Sequence, residues 1–201
     1  AIALVTKADV KTRLEDLSGT TAADTFLDTL CSTFSGNARI GALAGAEQYC
    51  DRIFTKASYT EYFSSDGGSN RFAVHAYPIA SITNVWVDTN YLWPDSTIIP
   101  ATEYQLDRNG GPFIVLPYSF QGRGWQHIKI TYTGGLFAGT DTIDTALKLA
   151  GMIQVSFWYR RRNMDGLISE SVQGGSVTQY APQTFLPQVK QLLHAYRRML
   201  L

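Results

Sequence analysis

The residues of this chain that are capable of chemistry are few, and their spacing limits what they can do. His75, His127 and His194 lie far apart and match no metal-ligand or nucleophile motif. Neither Ser18-Gly19 nor Ser35-Gly36 sits in a G-x-S-x-G elbow. No Walker lysine follows a glycine loop, and no G-x-G-x-x-G joins a strand to a helix. Asp66-Gly67-Gly68 and Arg108-Asn109-Gly110-Gly111 have the composition of turns. The carboxylates are scattered singly, so their spacing offers no acid/base pair. Cys31 and Cys50 make neither a disulfide framework nor a CxxC zinc pair, and read as buried small apolar residues in a reducing compartment. The expectation is a protein with no catalytic residues, no cofactor and no metal.

What remains is contact chemistry. Arg160-Arg161-Arg162 reads in two ways. The run either matches cations to a helix C-terminus or contacts phosphate or an acidic surface, joined by Arg197 and Arg198 if the helices lie side by side. Tyr91-Leu92-Trp93, in a loop rich in turn residues from Asn90 to Pro100, covers a sheet edge or anchors an interface. The interface is preferred, because an apolar loop tip is costly without a partner. Leu186, Val189, Leu192, Leu193, Tyr196, Met199 and Leu200 recur at helical spacing behind Pro187, a good first helical residue, so this end packs on something.

The elements that must position these groups centre on one handover. In His127–Thr133, Ile128, Ile130 and Tyr132 alternate with Lys129, Thr131 and Thr133, a half-buried strand. Gly134-Gly135 breaks it, and Thr140 or Asp141 caps a helix over 142–162. That helix is apolar on nearly every side between Ala146 and Tyr159, which predicts burial all round, with Lys148 and Gln154 as interruptions.

Upstream, Thr6 and Asp9 resemble a capping box opening a helix over about 7–17, with Val10, Leu14 and Leu17 as its stripe. A second helix starts near Thr21 and buries Phe26, Leu27, Leu30, Cys31 and Phe34. The pattern resumes from Ile40 to Ile53, with Gly41 and Gly45 on one face, which fits either a break or kink at Ser35-Gly36-Asn37 or a single long helix. Tyr59–Phe63 and Arg71–Tyr77 read as a hairpin, Ser81–Asp88 as a third strand, and Tyr104–Asp107 with Phe113–Leu116 as a second hairpin. Residues 164–184 lack periodicity and read as a hairpin or extended arm around Gly174-Gly175.

The resulting fold class is α+β, a helical bundle with an inserted antiparallel sheet or sandwich. Its parts are N-terminal helices over 1–57, a β-insertion over 58–135, a central helix over 136–165, and an arm with a docking helix over 166–201. The 201 residues are 45% hydrophobic and 17% charged with zero net charge, which argues against a nucleic-acid binder held by bulk electrostatics. The balance is uneven, with −3 over 1–140 and +3 over 141–201. No signal peptide or membrane span is legible.

The order of these parts resembles the head–tail connector proteins of tailed bacteriophages (adaptor or head-completion proteins), in the long variety with a β-insertion. The resemblance rests on an ordered set of patterns. They are Leu4-Val5-Thr6 with Asp9-Val10-Lys11, Ala46–Phe54, Tyr59–Phe63, Pro78-Ile79 with Ser81-Ile82, Ile130–Gly135, Leu147-Lys148-Leu149-Ala150 up to Tyr159–Arg162, and Tyr196-Arg197-Arg198. It implies a structural virion protein, a homo-oligomer in a ring usually of twelve copies at the neck, assembled in the host cytoplasm. Such a ring sits beneath the portal protein, extends the channel through which packaged DNA passes without sequence-specific binding, and docks the tail or a neck or stopper protein. It implies no membrane, and an arm that orders on the portal. The rivals are a carbohydrate- or protein-binding module displaying Trp86, Trp93 and Trp125, and a small hydrolase with a split site.

Overall fold

The computed structural model describes residues 3–14, 17, 19–36, 45–68, 70–107, 110–117, 123–139, 141–162, 169–172, 176–179 and 185–198. The chain is α+β and divides into two compact units, Ala3–Cys50 with Ile143–Arg197, and Asp51–Thr142 with Arg198.

The first unit is helical. α1 (Lys7–Arg13) opens on the expected capping box: Thr6 N–H donates to Asp9 Oδ2 at 3.1 Å, and Asp9 N–H to Thr6 Oγ1 at 3.3 Å. It stops at Arg13, short of the expected end, because Leu14 leaves helical geometry at φ −105°, ψ 77°. α2 (Asp24–Ser35) starts three residues later than its composition suggests. It buries Leu27, Leu30, Cys31 and Phe34, but Phe26 points outward. The expected kink beyond Gly36 and the stretch with Ile40, Gly41 and Leu43 lie outside the described residues. α3 (Ala46–Cys50) resumes the helical pattern.

α4 (Thr145–Arg160) is the axis of this unit and is packed by α1, α2 and α5 (Pro187–His194). Asp144, not Thr140 or Asp141, is its N-cap; it accepts from Ala146 N–H at 3.1 Å. Asp141 instead accepts from Ala138 N–H at 2.6 Å. The expectation of burial all round is corrected. Leu147, Ala150, Val155 and Trp158 are core, but Leu149 is 39% exposed, and Met152, Ile153 and Phe157 continue a half-buried stripe. Gly151 lets α4 close on its neighbours, since a Cβ there would lie 2.8 Å from Val5 and 2.9 Å from Phe34. Gln154 is fully buried, and its Oε1 accepts Leu186 N–H at 3.0 Å at the start of α5. Phe34, Trp158, Phe185 and Tyr49 form a chain of edge and tilted ring contacts with centroids 5.4–6.5 Å apart.

The second unit is β. Six strands, β1 (Ala57–Ser65), β2 (Arg71–Ala73), β3 (Ile79–Val87), β4 (Gln105–Leu106), β5 (Phe113–Val115) and β6 (Gly124–Gly134), form two three-stranded antiparallel sheets in the orders β1-β6-β3 and β2-β5-β4. The second hairpin is present, with Gln105 opposite Val115 and Leu106 opposite Ile114. The first is not. β1 pairs with β6, Tyr59 opposite Tyr132 and Phe63 opposite Ile128, while β2 pairs with β5. These long-range partners let Tyr59, Glu61 and Phe63 join Ile128, Ile130 and Tyr132 on one inward face, which a local hairpin with β2 does not provide. Gly135, at φ +123° and with a would-be Cβ 2.3 Å from Thr55 O, ends the sheet. β7 (Ser169–Val172) and β8 (Ser176–Gln179) form a separate two-stranded sheet.

Candidate protein-interaction surface

On the β unit, β3 runs into a loop held open by one carboxylate. Asp88 is buried at the strand's end, and its Oδ1 accepts Asn90 N–H at 2.8 Å. Its Oδ2 accepts the N–H groups of Leu92 and Trp93, each at 2.9 Å. The Asn90 amide, against the opposing effect of burial and with those of Trp93 and Leu92, holds the Asp88 carboxyl below its ordinary range. Tyr91 (φ 60°) and Trp93 (φ 54°) take the left-handed conformation, which bulky residues rarely adopt. The lock turns Leu92 outward, 81% exposed at the tip.

Rings gather around that tip. Tyr91 Oη donates to Trp125 O at 2.7 Å, and Trp125 is 73% exposed. The Trp93 ring lies 5.8 Å from Tyr62 and 6.2 Å from Tyr91. Lys129 Nζ sits 4.5 Å from the Trp86 ring centre and 5.6 Å from that of Trp93, so its charge faces the aromatic rings. Trp125 is displayed because β1 and β6 shift register between Phe63 and Ser65, and Gln126 (φ 48°) donates its N–H to Ser64 Oγ at 2.9 Å. The patch is thus aromatic and aliphatic. An aliphatic leucine at its apex suits a protein surface better than a sugar, which needs polar side chains to read hydroxyls.

The basic residues are placed separately. Arg160 is exposed at the end of α4. The Arg161 guanidinium lies 5.3 Å from the Phe157 ring centre, and that of Arg162 lies 3.9 Å over Tyr159 while Nη1 donates to Tyr159 O at 2.9 Å. Arg197 lies 6.0 Å from the Tyr49 ring centre. Arg198 serves the β unit: Nε and Nη2 donate to Asp51 Oδ2 at 3.0 and 2.6 Å, and Nη1 to Ala73 O at 3.1 Å. It is therefore a brace rather than a member of an arginine cluster. Leu193 is fully buried and belongs to the helical unit's own core, so it offers no outward contact. Leu186 and Tyr196 are half-buried, and the Tyr196 hydroxyl donates to Asp144. Met199 and Leu200 lie outside the described residues.

One polar constellation is not legible from motifs. Inside the β unit, Glu61 Oε2 is 2.8 Å from His75 Nδ1, and Oε1 accepts His75 N–H at 3.0 Å and the Tyr132 hydroxyl. Tyr132 Oη in turn accepts Ala76 N–H at 3.1 Å. Burial acts to raise the Glu61 carboxyl, but the bonds from His75 and Tyr132 prevail and leave it below its ordinary 4.5. Burial, reinforced by Glu61, pushes the Tyr132 phenol far up, so it stays a donor. Every group here is committed to its neighbours, and the trio braces β1 to β6. The signal was the period-2 pattern, which puts an acid at 61 on the same face as Tyr59 and Phe63.

Cys31 and Cys50 are buried; the Cys50 thiol donates to Leu193 O at 3.6 Å, and burial pushes the Cys31 thiol up to about 12. Among the described residues no group of three His, Cys, Asp or Glu side chains is placed to hold a metal. Among them, too, no helix is long and apolar enough to cross a membrane.

A family model described as "Head completion protein" matches residues 40–199. No curated protein matches the sequence. Among solved structures, the chain is similar to one from "Neck of empty GTA particle computed with C6 symmetry", at TM-score 0.57 and 14% identity over 96% of this chain and 89% of that one. A chain from "Virion of native gene transfer agent (GTA) particle" gives TM-score 0.57 and 14% identity over 100% and 94%. One from "Neck of native GTA particle computed with C12 symmetry" gives 0.52 and 11% over 96% and 91%. At these identities the likeness is one of fold.

Proposed function

The chain belongs to the head completion protein family, and from that premise we propose that it is a structural protein of the virion neck. In this reading several copies form a ring, twelve in the simplest case, between the portal and the tail. The ring extends the DNA channel and presents a docking surface to a tail or neck protein. Its role is mechanical, and it carries no reaction. Zero net charge suits a channel wall along which DNA slides.

The observation that carries the docking role is the Asp88-locked tip. A leucine held 81% exposed among aromatic rings has the character of an interface anchor, pre-organised so that little ordering is left for binding. The exposed Arg160, with Arg161, Arg162 and Arg197, is assigned to the portal or an acidic neighbour, and Leu186 and Tyr196 to the margin of that contact. The neck symmetries named for the similar structures, sixfold and twelvefold, support a cyclic arrangement.

The test is light scattering across a concentration series, with negative-stain images, alone and with portal particles. Rings with a central hole, and their loss of tail or neck-protein binding on Leu92→Asp, are the expected result. A chain that stays monomeric with portal present, and whose tryptophan fluorescence is quenched by sugars, overturns the reading in favour of a carbohydrate-binding module.

A further inference from the structure

The two edges of the sheet β1-β6-β3 are finished differently. β3 is interrupted by register shifts between Ile79 and Ser81 and between Ile82 and Asn84. Its outer side is met by Ile98, bridged to Trp86, and by Ile99, whose N–H donates to Val85 O at 2.8 Å. Bulges and covering segments are the devices that keep an edge from pairing with a foreign strand.

β1 lacks them. Its single register shift comes at its end, between Phe63 and Ser65, and it contains neither lysine nor proline. From Thr60 to Phe63 no strand lies along its outer side among the described residues. Its one charge, Glu61, is already committed inward to His75 and Tyr132. Its outward face is rich in hydroxyls, with Ser58, Thr60 and Ser64 exposed and Thr60 Oγ1 3.0 Å from Thr131 Oγ1.

The same chain carries strands with the opposite need. β7 and β8 pair with each other from Ser169 opposite Gln179 to Val172 opposite Ser176, and no third strand joins them among the described residues. A lone two-stranded hairpin is marginal in water and gains stability from a third strand. Its sequences, Ser-Glu-Ser-Val and Ser-Val-Thr-Gln, are hydroxyl- and β-branched-rich. A four-residue strand spans roughly 13 Å, the length of the open run on β1.

We propose that the β7–β8 pair of one copy adds to the β1 edge of a neighbouring copy, extending the sheet across the boundary between subunits. The proposal rests on the ring reading, which supplies the neighbour. A second copy is the occupant because a cyclic ring requires two unlike, mutually complementary surfaces on one chain, and the open edge and the unfinished hairpin are such a pair. Main-chain hydrogen bonds supply the contact.

The experiment uses single-cysteine additions to the full chain, in which Cys31 and Cys50 are buried. Thr60→Cys is mixed before assembly with Ser171→Cys and, separately, with Thr178→Cys, at neighbouring register positions of the hairpin. The mixtures are assembled, imaged and oxidised. A disulfide-linked pair of unlike chains, found in ring fractions and absent from each variant alone, is the expected result. Rings that form normally with no mixed disulfide in either pairing overturn this inference and leave the ring reading standing. So does normal ring formation after deletion of 169–179. Failure of the unmodified chain to form rings, even with portal particles, overturns both.

Discussion

The helical and the β unit use the same residue types to opposite ends. In the helical unit, Phe26 apart, the largest rings turn inward: Phe34, Trp158 and Phe185 contact one another and Tyr49, and the Arg162 guanidinium lies 3.9 Å over the Tyr159 ring centre. In the β unit Phe63 and Phe72 pack inside, 5.6 Å apart, while Tyr62, Tyr91, Leu92 and Trp125 stay outside around Trp93 and Lys129. The lesson is that aromatic content alone does not separate core from contact surface. In the helical unit burial of the rings is the stabilising term. In the β unit a carboxylate and a register shift hold strained backbone in place so that the rings stay on display.

That contrast can be broken most forcefully at Phe34. Phe34→Ala is expected to cost about 3–5 kcal/mol in denaturant unfolding, as for other large core rings. A loss much below that would mean the ring chain is not the core of the helical unit. A smaller effect is expected in acid from Glu61. Its folded-state value lies below the ordinary 4.5, so its contribution is complete above that pH and is lost as pH falls through the depressed value. Glu61→Gln should flatten the fall in stability below about pH 4.5. Asp9, Asp24, Asp88 and Asp144, also held low, should leave a residual slope. An unchanged acid profile would show that the trio does not brace β1 to β6.

Asp88→Ala separates the lock from the core. Circular dichroism should hardly change, while binding of the tail or neck protein weakens by about tenfold or more, because the tip must be ordered at the moment of contact. The least effect on stability is expected from Leu92→Ala, within about 0.5 kcal/mol, since the side chain leaves water nowhere in the folded unit. Its effect on docking should rival that of Asp88→Ala. If instead Leu92→Ala unfolds the chain and spares docking, the tip is structural and the contrast between the units fails.

Much of this was legible because local rules govern it. The capping box at Thr6 and Asp9, the Pro187 helix start, the β4–β5 hairpin, the inward set Ile128, Ile130 and Tyr132, and the break at Gly135, one residue past the paired Gly134, all follow from short-range periodicity or from one residue's backbone preferences. Tyr91-Leu92-Trp93 stands out in the sequence for the cost of an exposed apolar tip, and the structure shows what fixes the loop: Asp88, which holds the amides two, four and five residues on. The first hairpin, the exposure of Phe26, the burial of Leu193 and the pairing of Arg198 with Asp51 were not legible, because each depends on residues distant in sequence. The cap of α4 is local, Asp144 to Ala146, but Thr140, Asp141 and Asp144 are all residue types that cap, and type alone does not choose among them.

The sequence by itself therefore determined the class, helices around a β-rich middle, and an order of parts that resembles head completion proteins. Only the tertiary structure decided that β1 closes on β6, that Glu61 meets His75 and Tyr132, that Leu193 is core, and that one sheet edge is covered while the other stays open. The physical reason is that hydrogen-bond periodicity and capping act within a turn or two of chain. Register, burial and edge exposure are settled by competition among surfaces that meet only once the chain has folded.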